Sequence, residues 1–178
     1  MNNDVKAILT LVIICAASAA GLSVAYSITS PVIEDNRMGG IRSAQKEVMP
    51  AADTFKEISD EKIMIGGVKN VFEASSKDGN LIGYVIVTEA KGFQGGIRII
   101  FGADTGGAIT KVRILENVET PGLGSRINEE DFLKQFEGKA FVDDEPKVDA
   151  ITGATISSSA VIESVKSGLN NTLSAVRE

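Results

Sequence analysis

The chain has 178 residues but no histidine, no tryptophan and a single cysteine. Without histidine there is no Ser–His–Asp or Cys–His nucleophile system, no imidazole general base and no His-ligated zinc or haem. One cysteine allows no internal disulfide, no CxxC redox pair and no iron–sulfur cluster held by this chain. Basic residues are also in deficit: 18 Lys and Arg stand against 24 Asp and Glu, a net charge of −6. That balance argues against a nucleic-acid partner, because a phosphate backbone is met by a basic patch. No side chain is assigned a catalytic role and no metal site is expected. Redox or group-transfer chemistry would need a cofactor to supply the reactive atoms.

What is present begins with a long uncharged run. Residues 7–33 carry no charge, and the apolar part, 7–28, reads AILTLVIICAASAAGLSVAYSI. As a helix it is about 33 Å long, enough to cross a hydrocarbon core of about 30 Å. A cleaved signal peptide is the alternative, with small residues at positions 16–20 for a cleavage site. The length favours a retained anchor. Pro31 is expected to end the helix, because a residue before proline is pushed out of the α region. Lys6 on one side, against Glu34 and Asp35 before Arg37 on the other, orients the N-terminus inward and the C-terminal part outward.

The organisation expected is a membrane anchor over 1–33, a helical linker over 34–59 and one domain over 60–178. In the linker Ile41, Ala44 and Val48 fall at helical spacing, and Pro50 ends the helix. LIGYVIVTE (81–89), GIRIIF (96–101) and ITKVRIL (109–115) are rich in β-branched residues and read as strands. Asp78-Gly79 makes a hairpin with a preceding strand around Val71 and Phe72. The cluster 102–107 reads as a turn. A short helix over 129–137 is expected to be capped by Asn128, to bury Phe132, Leu133 and Phe136, and to stop at Gly138. A longer helix over 157–176 aligns Val161, Val165, Leu169, Thr172 and Val176. The class is α+β: an antiparallel meander of three or four strands with packed helices, behind one transmembrane helix.

Three glycine-rich stretches stand out. Gly92-Phe93-Gln94-Gly95-Gly96-Ile97 lies between two strands and on its own is a flexible connection. Glu119-Thr120-Pro121-Gly122-Leu123-Gly124 is either a type II turn or a place where a flat ring meets backbone without an intervening Cβ, with Leu123 as apolar contact. Asp149-Ala-Ile-Thr152-Gly153-Ala154-Thr155-Ile-Ser157-Ser158 precedes the last helix. A helix N-cap needs one or two of these hydroxyls; the rest, with the free amides of a first turn, suit a phosphate. The lysine of a nucleoside-triphosphate loop is missing here, and so is GxGxxG.

Taken in order, these three stretches resemble the signatures of the FMN-binding domain family, over roughly residues 60–178. The resemblance implies that Thr155 carries FMN through a phosphoester bond. It also implies that Thr120, Gly122 and Leu123 line the flavin ring, that Ser157 and Ser158 with backbone amides of the helix start hold its phosphate, and that Glu119, Gly124, Thr152, Gly153 and Ala154 belong to the same cofactor site. Phe93 stands where the family often has tyrosine. Asp149 either orients the acceptor segment or complements the helix dipole. No base is at hand to activate a threonine hydroxyl. The family precedent supplies one: a magnesium-dependent flavin transferase that uses FAD.

The resemblance further implies an electron-relaying subunit, not a stand-alone enzyme. Its partners would be other membrane subunits of an ion-translocating ferredoxin:NAD oxidoreductase complex. It would sit in the cell membrane with its C-terminal domain on the outer face. The alternatives are a subunit of a related sodium-translocating NADH:quinone reductase, or a non-catalytic anchored binding module.

Overall fold

A computed structural model describes residues 3–60, 62–141 and 147–177. The chain falls into two compact units, Met1–Gly40 and Ile41–Glu178. The first unit is helical throughout its described residues, and helix α1 spans Asn3–Val48. Its apolar side chains, among them Leu11, Ile14, Leu22 and Ile28, are exposed. The helix is long and apolar enough to cross a membrane and fits a membrane anchor.

Pro31 lies inside α1 and does not end it. The preference against helix before proline is a local bias. A helix already propagating on both sides of Pro31 overrides that bias. Hydroxyls on the turn before it bond back to the ladder: Ser27 Oγ donates to the Val24 carbonyl and Thr29 Oγ1 to that of Ala25, each at 2.8 Å.

The second unit is built on a five-stranded antiparallel meander in the order β1-β2-β3-β4-β5. The strands are β1 Thr54–Ile58, β2 Val68–Ser75, β3 Leu81–Lys91, β4 Gly96–Asp104 and β5 Ile109–Asn117. Strand β1 was not expected. It is short, it lies at the sheet edge, and it falls in the stretch read as helical linker. Its TFKEI sequence buries little, so no periodic apolar signal marks it. Strand β4 runs on to Asp104, past the expected turn at 102. Asp104 then closes a tighter turn by accepting the Ala108 amide on Oδ1 at 2.8 Å.

Strand β3 is buried without interruption from Gly83 to Thr88, because both sheet faces are covered. On one face Tyr84, Ile86, Ile99 and Phe101 join Val161, Val165, Leu169 and Leu173 of helix α3, Thr155–Arg177. Gly168 lets α3 lie close: a Cβ there would stand 2.6 Å from Thr88 Cγ2. Beside it Ser164 Oγ donates to Thr88 Oγ1 at 2.8 Å, which satisfies two buried hydroxyls. Val85, Val87 and Ile100 point to the other face. There the end of α1 contributes buried Ile41, Ala44 and Val48, and Met49 Cε reaches Gly83 and Gly102. Val176, expected on the buried stripe of α3, is exposed; Leu173 takes the last core position.

The expected helix 129–137 is broken up. A 3₁₀ turn, Gly124–Asn128, precedes helix α2, Glu130–Leu133, and a second 3₁₀ turn, Lys134–Phe136, follows. Asn128 is therefore not the cap; Glu129 holds that place without a side-chain cap bond. The preceding turn absorbs Asn128, whose Oδ1 accepts from Asn117 Nδ2 at 3.3 Å. Phe132 and Phe136 are buried edge-to-face, with centroids 5.6 Å apart. Gly138 ends the segment at φ +72°, as expected.

Candidate functional site

Each of the three glycine-rich stretches forms a loop at a strand or helix end. The loop at 92–95 joins β3 to β4 and is closed by Gly92 N–H to the Gly95 carbonyl at 2.7 Å. The loop after β5 is a turn with Pro121 second and Gly122 third. Leu123 N–H closes it onto the Thr120 carbonyl at 3.1 Å, and Gly122 has φ +74°, the sign a type II turn requires. Ser125 Oγ accepts the Gly122 amide at 2.9 Å.

The loop before α3 is held by the helix it leads into. Ser158 Oγ accepts the Ile151 amide at 3.1 Å and donates to the Ala154 carbonyl at 2.9 Å. Gly153 sits at φ +83°, a conformation L side chains rarely adopt. Helix α3 then starts at Thr155, whose side chain is exposed.

Glu119 ties the loops together. Its Oε2 accepts the Ser157 hydroxyl at 2.6 Å, and its Oε1 accepts the Gln94 amide at 3.1 Å. Burial alone would push this carboxyl up. The Ser157 hydroxyl and the amides of Gln94, Gly95 and Phe93 outweigh it and hold the carboxyl below its ordinary range. Glycine makes the room on both sides. A Cβ on Gly92 would stand 2.3 Å from Oε1, and one on Gly124 would stand 2.5 Å from Oε2.

Around this junction opens a cleft of about 280 Å³. It is lined by Phe93, Glu119, Thr120, Leu123, Gly124, Gly153, Ala154, Thr155, Ile156 and Ser157. Phe93, Leu123 and Ile156 leave much of their apolar surface in solvent, an unusual grouping outside a binding site. Among the described residues no lysine or arginine lines it. A larger concavity of about 760 Å³ lies along β5 and α2. Its rim charges answer one another, Glu47 with Lys111 and Arg113, and Glu130 with Lys134. It contains none of the three loops, and it reads as a solvated trough.

The cleft suits FMN in its donor set and shape. Apolar side chains and Cβ-free backbone offer a surface to a flat ring. The first-turn amides of α3 have no intrahelical acceptor and point a positive dipole end outward, as a phosphate requires. Thr155 puts a hydroxyl at that helix start.

Comparison with known proteins decides the family. The chain is 32% identical over 173 residues to the G-type subunit of the ion-translocating oxidoreductase complex of Methanosarcina acetivorans, covering 93% of this chain and 92% of that one. The chain belongs to the family of G-type subunits of Rnf ion-translocating oxidoreductase complexes. Its counterpart in the proton-translocating ferredoxin:NAD(+) oxidoreductase complex of Clostridium ljungdahlii is also 32% identical, with 88% and 84% covered. Within this family member, residues 92–170 match the FMN-binding domain. The fold is shared with NqrC of Shewanella oneidensis, which superposes with a TM-score of 0.52 at 21% identity, over 72% of this chain and 74% of that one. The equivalent polypeptide of the Na(+)-translocating NADH-quinone reductase of Parabacteroides distasonis superposes with a TM-score of 0.57 at 20% identity, over 77% and 84%.

Of the residues expected from the sequence, Gly122, Thr152 and Ser158 do not line the cleft. Gly122 and Ser158 shape loops instead, and Thr152 is exposed. The hydroxyls of Ser157 and Ser158 turn inward to Glu119 and Ala154. The reason is helical phase. Ser157 lies one turn before buried Val161, whereas Thr155 and Ile156 fall on the outer side. Phe93 and Ile156 were missing from the expected site. For Ile156 there was a signal: an apolar residue among hydroxyls, off the apolar stripe of its helix.

Proposed function

We propose that this protein is the membrane-anchored flavoprotein subunit of an ion-translocating ferredoxin:NAD oxidoreductase complex. It carries FMN on Thr155 through a phosphoester and relays electrons between membrane partners. The observation that carries this reading is the convergence of three loops, distant in sequence, on one cleft with an exposed threonine at a helix start. FMN, when bound, supplies the one-electron chemistry that no side chain of this chain offers.

In this reading Thr120, Leu123, Phe93 and Ile156 contact the ring, and Gly153 lets it approach the backbone. Glu119 and Ser157 support the cleft from beneath. The first-turn amides of α3 hold the phosphate. Attachment joins Thr155 Oγ to the flavin-side phosphorus of FAD. AMP leaves, and the hydroxyl proton passes to a base on a separate flavin transferase. The tether keeps FMN with a domain that faces the outside of the cell membrane, where a dissociated cofactor would be lost.

The test is direct. The protein is made in a host that also expresses the flavin transferase, denatured, and examined for flavin fluorescence in the gel band and for intact mass. The mass rises by one FMN less one water, and Thr155→Ala abolishes the rise. An unmodified wild-type protein, with the transferase active on a control, would leave a non-catalytic anchored module. Flavin retained on Thr155→Ala would move the attachment site.

A further inference from the structure

Glu119 is built as a clamp. It stands at an open cleft, yet only 5% of the residue is exposed. Each carboxylate oxygen already has a partner from this chain, one on the 92–95 loop and one on α3. Carboxylates accept hydrogen bonds and donate none, so one such group can gather donors from several segments at once. Bonds to a charged acceptor are roughly twice as strong as neutral ones.

Among the described residues the charge has no cationic partner at the cleft. Glu89, on the neighbouring strand end, is answered by Lys69 at 3.6 Å and Arg98 at 3.7 Å. Glu119 is answered by a hydroxyl and by backbone amides. Those donors keep it ionised at neutral pH and spread its charge without cancelling it.

We infer that Glu119 is a positioning residue whose carboxylate clamps the 92–95 loop and the first turn of α3 onto its own loop, and whose negative charge lowers the reduction potential of a flavin held in the cleft. The second half rests on the flavin reading above. Reduction adds electrons to the ring, and a fixed anion in a partly dry site opposes added negative charge. The α3 dipole acts in the opposite sense. Glu119 offsets it while leaving the amides themselves free for phosphate.

The experiment uses the full chain in detergent, matured by the flavin transferase, as wild type, Glu119→Gln and Ser157→Ala. Glutamine keeps the size and still accepts the Gln94 amide, but it is neutral. Glu119→Gln raises the flavin midpoint at neutral pH by a tenfold change in equilibrium, about 59 mV for a one-electron couple. Ser157→Ala keeps the charge and its midpoint stays nearer wild type. A Glu119→Gln midpoint equal to or below wild type overturns the electrostatic role.

Hydrogen exchange on flavin-free Ser157→Ala tests the clamp even if Glu119→Gln fails to fold. Protection falls at the 92–95 loop as well as at the Ser158 amide, the first at the start of α3 with an acceptor, the Ala154 carbonyl at 2.9 Å. A loss confined to α3 overturns the clamp. Wild-type protein that takes up no flavin under active transferase would sink the functional reading alone, since the exchange result stands without it.

Discussion

Ser157 Oγ donates a 2.6 Å hydrogen bond to Glu119 Oε2 across 38 residues of chain. Both residues are buried, and the bond joins the start of α3 to the loop after β5. It is the point at which two sequence motifs become one site.

Removing that hydroxyl has a stability cost with a defined pH dependence. Ser157→Ala leaves a buried carboxylate short of one donor, a loss of about 1–3 kcal/mol. The folded-state pKa of Glu119 lies below its ordinary value of 4.5, so as pH falls the unfolded chain takes up the proton first. The contribution is therefore full above 4.5 and is lost as pH falls through the lowered folded value. Urea unfolding of both proteins should show the difference at neutral pH and its shrinkage below 4.5. Glu130 is also held low, by Lys134, but equally in both proteins, so it cancels. A difference that grows on acidification would contradict the assignment.

Two glycines of the site should fail for different reasons. At Gly124 a Cβ would meet Glu119 Oε2 at 2.5 Å, Glu119 Cβ at 2.9 Å and Ser157 Oγ at 2.9 Å. Gly124→Ala must push the clamp apart, costing about 1–3 kcal/mol as overpacking. At Gly153 a Cβ would meet only Leu123 Cδ1, at an ordinary 3.5 Å, but φ is +83°. Gly153→Ala introduces conformational strain of about 1–2 kcal/mol. Amide exchange separates them: only Gly124→Ala loosens the 92–95 loop.

Gly168 governs how close α3 lies to the sheet. Its substitution by alanine would set Cβ 2.6 Å from Thr88 Cγ2 and 3.4 Å from Phe101 Cζ. We expect Gly168→Ala to lower stability by about 1–3 kcal/mol through displacement of the helix, despite alanine's better helix propensity. A melting temperature at or above wild type would show that α3 has room to spare.

The single cysteine makes topology measurable. Cys15 is exposed on the apolar helix, so a Cys15→Ser background carries no other thiol. Lys77→Cys then places one thiol in the exposed turn between β2 and β3. A membrane-impermeant maleimide should label it in intact cells if the Ile41–Glu178 unit faces outward. Labelling only after lysis would reverse the proposed orientation.

Much of this was legible in the chain because the signals are local. An uncharged run measures its own length against a bilayer. β-Branched runs mark β3 to β5, the Asp78-Gly79 turn points back to β2, and the order of three short motifs indicates an FMN-binding domain. Composition alone removed side-chain redox chemistry. Tertiary structure decided the rest, because those outcomes depend on neighbours that sequence spacing does not show. Pro31 stays helical because the helix propagates on both sides of it. Strand β1 forms because β2 offers it an edge. Asn128 loses its cap role to the turn before it. Above all, Glu119 read as one more residue facing a ligand. Folding brings Gln94 and Ser157 to its two oxygens and turns it into the support on which the cleft is built.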